Sequence, residues 1–497
     1  MAKSKSMVEA TAAAPASTVP DKSRPYLTAL PGTWPWAVAY LLSLSALGLK
    51  FYPAVLAIVF ILARTFVKNR YAFVMQLTLL LGGYALTNSA VTKLNLGWLA
   101  FFSGVAMLIV LRKSRYVKRI VIAWGLYAAL LFFLALTSEE SMRVQLPTYI
   151  AYITFIYFMV PMGVFAGHKF DFDHFVRAVF PYVLTICVFY ILDAYVLCGW
   201  VLIPCSHMWG DGSSAFNDLS WAPLTGWFVR KYPPGIYTLT LLLLPVARTY
   251  RLRWWQWGIV LLALASTQTF TVISGFLLFF LLFQGGFKRV LLYGAIGIAG
   301  AVALYFVDAS MAYVADEFEE RSPLRIKTSV DQILDLTEAV DDEDIAEFGS
   351  GRIAQAIPKL ELLYDLGYEW RGFGFLSRFE TDNPKFIVEN EYYKDQEESI
   401  EVATNIEITA LQIIVTIGYI GLAAHILFFG FTWWVVRRMR HGTYYLSVML
   451  CFVWFGIGGF EGLISFMGTM TPALALSATL LSDKTEREEK ETADAAS

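Results

Sequence analysis

The sequence predicts an all-α polytopic membrane protein, and three observations carry that reading. Of 497 residues, 57% are hydrophobic and only 16% charged, whereas a soluble domain is nearer a quarter charged. Apolar runs recur along the chain at lengths approaching or exceeding the roughly 20 residues that cross a hydrocarbon core as helix. Basic residues collect in short connections between those runs, and aromatics make up 16% of the chain, as interfacial belts require.

Residues 1–33, rich in Ala, Ser, Thr, Pro and Lys with no apolar stretch before Trp34, read as a disordered tail and not as a cleaved signal. The bundle occupies 34–307, with apolar runs at 36–49, 51–65, 72–90, 94–111, 119–136, 147–167, 176–203, 234–249, 255–269, 270–285 and 290–307. Runs at 406–435, 443–459 and 465–482 form a C-terminal set within 406–482, and 483–497 reads as a second solvated tail. Several runs are short enough for half-helices or hairpins, so about 12–14 transmembrane helices are expected. Basic connections at 64–70, 112–119, 248–253, 288–289 and 437–440 are separated by even numbers of runs. The positive-inside rule puts them, and with them both termini, in the cytoplasm.

Between the two sets lies an acidic insert, 308–405, which falls on the opposite side. It holds 24 acidic and 9 basic residues, a formal balance of −15 in a chain whose net charge is −2. Apolar spacing predicts a helix over Ile353–Leu366 closed by Gly367, and another over Ser329–Ala339. The cluster at 381–384 predicts a turn.

Chemistry-bearing residues are few on that side. Arg143 lies in a short outer loop, Arg230 precedes Pro233-Pro234-Gly235, and Arg352 follows Gly349-Ser350-Gly351. A guanidinium fork suits a diphosphate at headgroup level, and a helix start after Gly351 adds backbone donors. The plainer reading pairs these arginines with the insert's acids or with lipid headgroups, and for Arg143 it is the better one. Glu407, next to Asn405, opens an apolar helix. Partial burial there raises a carboxylate toward general-base duty, while an acid at a helix start also simply favours the dipole. Glu461, in Gly458-Gly459-Phe460-Glu461-Gly462, either lines the same cavity or occupies a simple turn. Asp341–Asp344 lacks the spacing of a calcium loop, and no Cys-x-x-Cys or histidine cluster occurs, so neither metal nor cofactor is expected. Cys187 and Cys451 read as small buried hydrophobes; Cys198 and Cys205 are either a disulfide or two free thiols.

Several motifs together resemble the O-antigen polymerase and O-antigen ligase superfamily over about residues 215–440. They are Lys231–Gly235, Thr271-Val272-Ile273-Ser274-Gly275, Ser350-Gly351-Arg352, Gly372-Phe373-Gly374, Leu411-Gln412 and Gly418-Tyr419-Ile420-Gly421. The chain departs from that pattern in two places. No Arg separates Ser274 from Gly275, and Glu407-Ile408 stands where many members carry His.

The resemblance implies a GT-C-like fold in a bacterial inner membrane, with 308–405 as a large helix-rich periplasmic loop. It implies a metal-independent inverting glycosyltransferase of polysaccharide biosynthesis, with an undecaprenyl-diphosphate-linked oligosaccharide as donor and a glycan acceptor. Glu407 would be the base, and Arg352, Arg230 and Arg143 would hold the diphosphate. Glu461 and Asn405 would contact sugar. A chain-length regulator or a flippase would be a partner beside the lipid bilayer, and no nucleic acid is expected. Polymerase is the first reading, ligase the nearest second, and a lipid-linked sugar flippase or transporter the alternative of another class.

Overall fold

The computed structural model describes residues 24–49, 51–82, 89–110, 115–197, 234–266, 275–283, 352–376, 381–389, 400–404, 408–457 and 466–496, with single residues at 273 and 406. Helices dominate it. In chain order they are α1 (Thr33–Gly48), α2 (Ala54–Lys68), α3 (Arg70–Leu81), α4 (Ser89–Val110), α5 (Arg115–Thr137), α6 (Met142–Ile153), α7 (Met159–Val164), α8 (Phe172–Ile191), α9 (Pro234–Leu243) and α10 (Trp254–Ser266). A helical run over 275–283 follows. Then come α11 (Arg352–Asp365), α12 (Thr409–Val436), α13 (Gly442–Ile457) and α14 (Phe466–Ala496). Among the described residues, four stretches are long and apolar enough to cross a membrane: Tyr116–Thr137, Met142–Val164, Phe172–Leu197 and Thr409–Val436. The expected run at 290–307 and the expected helix at Ser329–Ala339 lie outside the described residues.

The helices alternate between two ends. One end gathers the N-terminal segment, where Arg24 Nη1 donates to Ala247 O at 2.8 Å and Arg251 N donates to Pro25 O at 2.9 Å. The 164–177 turn joins it, with Arg177 Nε donating to Thr28 O at 3.0 Å. So does the C-terminal helix, where Phe170 N donates to Thr485 Oγ1 at 3.1 Å and Arg487 covers the Tyr116 ring at 4.8 Å. The opposite end gathers the 137–145 turn and the described parts of the insert.

Two cores serve these regions. The larger runs through the bundle from Leu27 to Leu481. At its centre Gln76 is saturated: its Oε1 accepts from Thr65 Oγ1 at 2.6 Å, its Nε2 donates to Tyr182 OH at 2.8 Å, and its backbone O accepts from Tyr40 OH at 2.8 Å. The smaller core joins Ala356 and Leu363 of α11 to Phe373, Phe386, Val402, Ile406 and Val415. It fastens a cap to the head of α12.

Two expectations are corrected. The tail expected to be disordered from 483 continues as helix to Ala496, because Asp483–Arg487 and Lys484–Glu488 pair at i,i+4 and Thr485 docks on the 170 turn. The N-terminal tail is docked from Arg24, with Leu27 buried. Beside its helix the insert also carries Ile387–Glu389 (β1) and Ile400–Val402 (β2), which pair antiparallel with Ile387 opposite Val402. Both are short and rich in β-branched residues, and Val388 and Val402 enter the cap core.

Candidate active site

α11 ends as its sequence directs. Gly367 takes φ +68°, Tyr368 N donates to Leu363 O at 2.9 Å and Gly367 N to Tyr364 O at 3.0 Å, the paired bonds of a Schellman stop. The chain then runs into Trp370-Arg371-Gly372-Phe373-Gly374, and this loop meets α12 where that helix breaks.

The break is at Gly418, with φ 63° and ψ −174° inside an otherwise helical run. An intact helix would bond Tyr419 N to Val415 O and Ile420 N to Thr416 O. Here Val415 O accepts from Phe373 N at 2.8 Å and Thr416 O from Gly374 N at 2.9 Å, while Tyr419 N donates to Glu369 O at 2.9 Å and Ile420 N to Trp370 O at 3.2 Å. The loop thus clasps the helix, pairing all four backbone groups that the two lost bonds leave open, and such a clasp is what allows irregular backbone in an apolar helix. Glycine is required on both partners. A Cβ on Gly372 would lie 2.5 Å from Ile417 N, and one on Gly418 2.5 Å from Arg371 N. A Cβ on Gly374 would lie 2.8 Å from Gln145 Oε1.

The α5–α6 turn forms the other wall. Ser138 Oγ donates to Phe373 O at 2.6 Å, and Gln145 Oε1 accepts from Phe375 N at 3.2 Å. Glu140, nearly fully buried, accepts from Ser141 N at 2.9 Å, from Asp382 N at 3.2 Å and from Thr381 Oγ1. Arg371 donates through Nη1 to Thr137 O at 2.8 Å and lies over the Tyr368 ring at 4.2 Å. Glu139 accepts from Tyr368 OH and pairs with Lys385 Nζ at 3.2 Å. Those two hydrogen bonds, Tyr368's first, hold its carboxyl below the ordinary range. Burial in turn raises the Tyr368 phenol.

This end also contains polar atoms without partners. Among the described residues, Glu369 Oε2, Thr404 Oγ1 and Gln412 Oε1 are buried and make no hydrogen bond. Buried acceptors of this kind await a donor or mark a strained site, and a sugar brings many hydroxyl donors. Trp370 and Tyr364 stand exposed beside them; Tyr364 OH bonds to Tyr419 OH, and the Trp370 and Tyr419 rings meet edge-on at 5.9 Å.

Of the site residues expected from sequence, Arg143 is exposed on the first turn of α6. Arg352 opens α11, as expected, and its side chain lies outside the described residues. Arg230, Asn405, Glu407 and Glu461 also lie outside them, as do Cys198 and Cys205. Two expected motifs, Gly372-Phe373-Gly374 and Gly418-Tyr419-Ile420-Gly421, are brought together by the break. Sequence reasoning did not assign roles to Arg371, Glu139, Glu140, Lys385 or Glu369. The available signal was an Arg and a Glu bracketing Trp370 just ahead of two glycines, and paired acids in a short outer turn. Compared with protein-family models, with characterised proteins and with solved structures, the chain matches none.

Proposed function

We propose that the chain is a membrane glycosyltransferase of the O-antigen polymerase and ligase type, joining lipid-linked oligosaccharide repeats of a surface polysaccharide on the outer face of a bacterial inner membrane. The observation that carries this reading is the closure of the Trp370–Gly374 loop on the Gly418 break. It joins two of the motifs behind the resemblance, and it sets a guanidinium and three unpartnered acceptors at one end of an apolar bundle.

In this reading an undecaprenyl diphosphate lies between helices, and its charge, which grows as the bond to sugar breaks, is met by Arg352, Arg230 and Arg143, with Arg371 and Lys385 nearby. Fixed cations aimed at a developing anion are the largest catalytic lever available without metal. Glu407, two residues before α12 begins at Thr409, takes the proton from the acceptor hydroxyl. Asn405 and Glu461 contact sugar, together with Gln412 and Glu369.

A transporter is the alternative. Transporters use broken helices to present free carbonyls and amides to ions. At Gly418 those groups are already consumed by the loop, and this favours a static site over an ion path.

Deletion in the native host, followed by gel analysis of surface glycan, tests the reading. A ladder collapsed to one repeat on the acceptor supports polymerase, and full-length chains held on the lipid carrier support ligase. An unchanged ladder overturns both.

A further inference from the structure

The end of the bundle away from the clasp carries a feature that glycan transfer does not use. Residues 24–27 run beside 247–251, with Leu27 N donating to Arg251 O at 2.8 Å. This places Tyr26 against the start of α10. The Arg251 guanidinium lies 5.3 Å and the Arg253 guanidinium 5.9 Å from the Tyr26 ring centroid. Around them is a cavity of about 680 Å³ whose wall includes Trp254, Trp255 and Phe280 and no carboxylate. Trp254 is 85% exposed, and Gln256 Oε1 caps the turn from Arg253 N at 2.8 Å. No ion pair to either arginine occurs among the described residues.

A second cavity at this end, about 620 Å³, differs in sign. Its Arg248 and Arg440 share the wall with Asp171, Asp173, Glu486 and Glu489, so it selects no charge.

We infer that the Tyr26–Arg251–Arg253 groove is a binding site for an anionic phospholipid. Two guanidiniums, with no carboxylate beside them among the described residues, would hold the headgroup phosphate. Trp254, Trp255 and Phe280, at the level where an apolar helix begins, would take the glycerol and upper acyl chain, as interfacial aromatics do. Basic side chains near an anionic leaflet each strengthen binding several-fold, and two acting together suit retention of a lipid through purification.

The test uses the full-length protein in nanodiscs of mixed phosphatidylglycerol and phosphatidylcholine, with retained lipid read by native mass spectrometry. Preference for phosphatidylglycerol should fall by about tenfold or more in Arg251→Gln/Arg253→Gln and survive in Arg437→Gln/Arg438→Gln. Unchanged preference in the first pair overturns the site; equal loss in both pairs reduces it to diffuse attraction by this end and overturns it as well. A second readout does not depend on the arginine pair folding. Phosphatidylglycerol with brominated chains should quench the parent's tryptophan fluorescence more than brominated phosphatidylcholine at equal fraction, and Trp254→Phe/Trp255→Phe should erase that difference. No difference in the parent would refute the proposal.

Discussion

Two buried glutamines make opposite use of the same side chain. Gln76, in the bundle, spends both ends of its amide on Thr65 and Tyr182 and stitches α2, α3 and α8 together. Gln412, in the first turn of α12, is just as enclosed, yet its Oε1 has no partner. In the bundle Gln76 ties three helices together, and the unpartnered buried atoms described there, Thr33 Oγ1, Ser103 Oγ, Tyr152 OH and Asp173 Oδ1, are scattered over separate helices. The end around Gly418 holds its backbone with equal care, through four loop-to-helix bonds and three obligatory glycines, and leaves Glu369 Oε2, Thr404 Oγ1 and Gln412 Oε1 open together. A structure that fixes a loop so firmly and leaves its polar neighbours unsatisfied has the form of a preorganised site, where unsatisfied atoms are paid for by the surrounding fold.

The largest expected effect comes from breaking the frame itself. Gly418→Ala must place a Cβ against the Trp370–Arg371 peptide at positive φ, so a loss on the order of 3 kcal/mol or more is expected. Thermal unfolding or the collapse of a monodisperse gel-filtration peak would register it, and a parental melting temperature would mean the clasp does not form. Glu140→Gln comes next. The amide keeps one acceptor oxygen and puts donors where Ser141 N, Asp382 N and Thr381 Oγ1 all donate, at about 2 kcal/mol. Gln76→Leu should cost less, about 1 kcal/mol, because Thr65 Oγ1 can turn to Ile61 O at 2.9 Å and Tyr182 OH to Ala72 O at 3.4 Å; chemical denaturation of the purified protein compares the two.

Acid should loosen the end that holds Glu139. The Glu139 carboxyl is held below its ordinary range by Tyr368 and Lys385. The stability it contributes is therefore complete above the unfolded carboxylate value and is lost as pH falls through the depressed folded one. Hydrogen exchange at Phe373 and Gly374, followed down through the carboxylate range, should show their protection falling, and Glu139→Gln should abolish the pH dependence. The smallest effect belongs to the exposed Lys169–Glu489 pair at 3.2 Å. Lys169→Ala should change stability by less than about 0.5 kcal/mol, and a larger shift in denaturant midpoint would mean the C-terminal helix is held by that pair.

The helices were legible because each is a local pattern. Apolar runs gave the described spans of the bundle, and the Gly367 stop could be read from the periodicity that ends there. The clasp was legible only as two glycine motifs some 45 residues apart, since nothing in either says that it will cross the other. Nothing in the sequence around Glu140 shows that Thr381 and Asp382, far along the chain, will bond to it and that it is buried. Composition suggested a loose C-terminal tail, although the i,i+4 pairs Asp483–Arg487 and Lys484–Glu488 that extend α14 were present in its sequence. Composition alone cannot weigh such pairs against the docking surface that holds them.

The central claim, that the open acceptors at the clasp receive substrate, is tested most directly by one paired measurement on Gln412→Leu. The full-length protein in proteoliposomes is assayed for elongation of lipid-linked repeats, and its melting temperature is taken on the same preparation. Removing an unsatisfied buried oxygen should leave the melting temperature unchanged or raise it, while the elongation rate falls about tenfold or more as a substrate hydroxyl loses its acceptor. A variant that elongates at the parental rate would contradict the account.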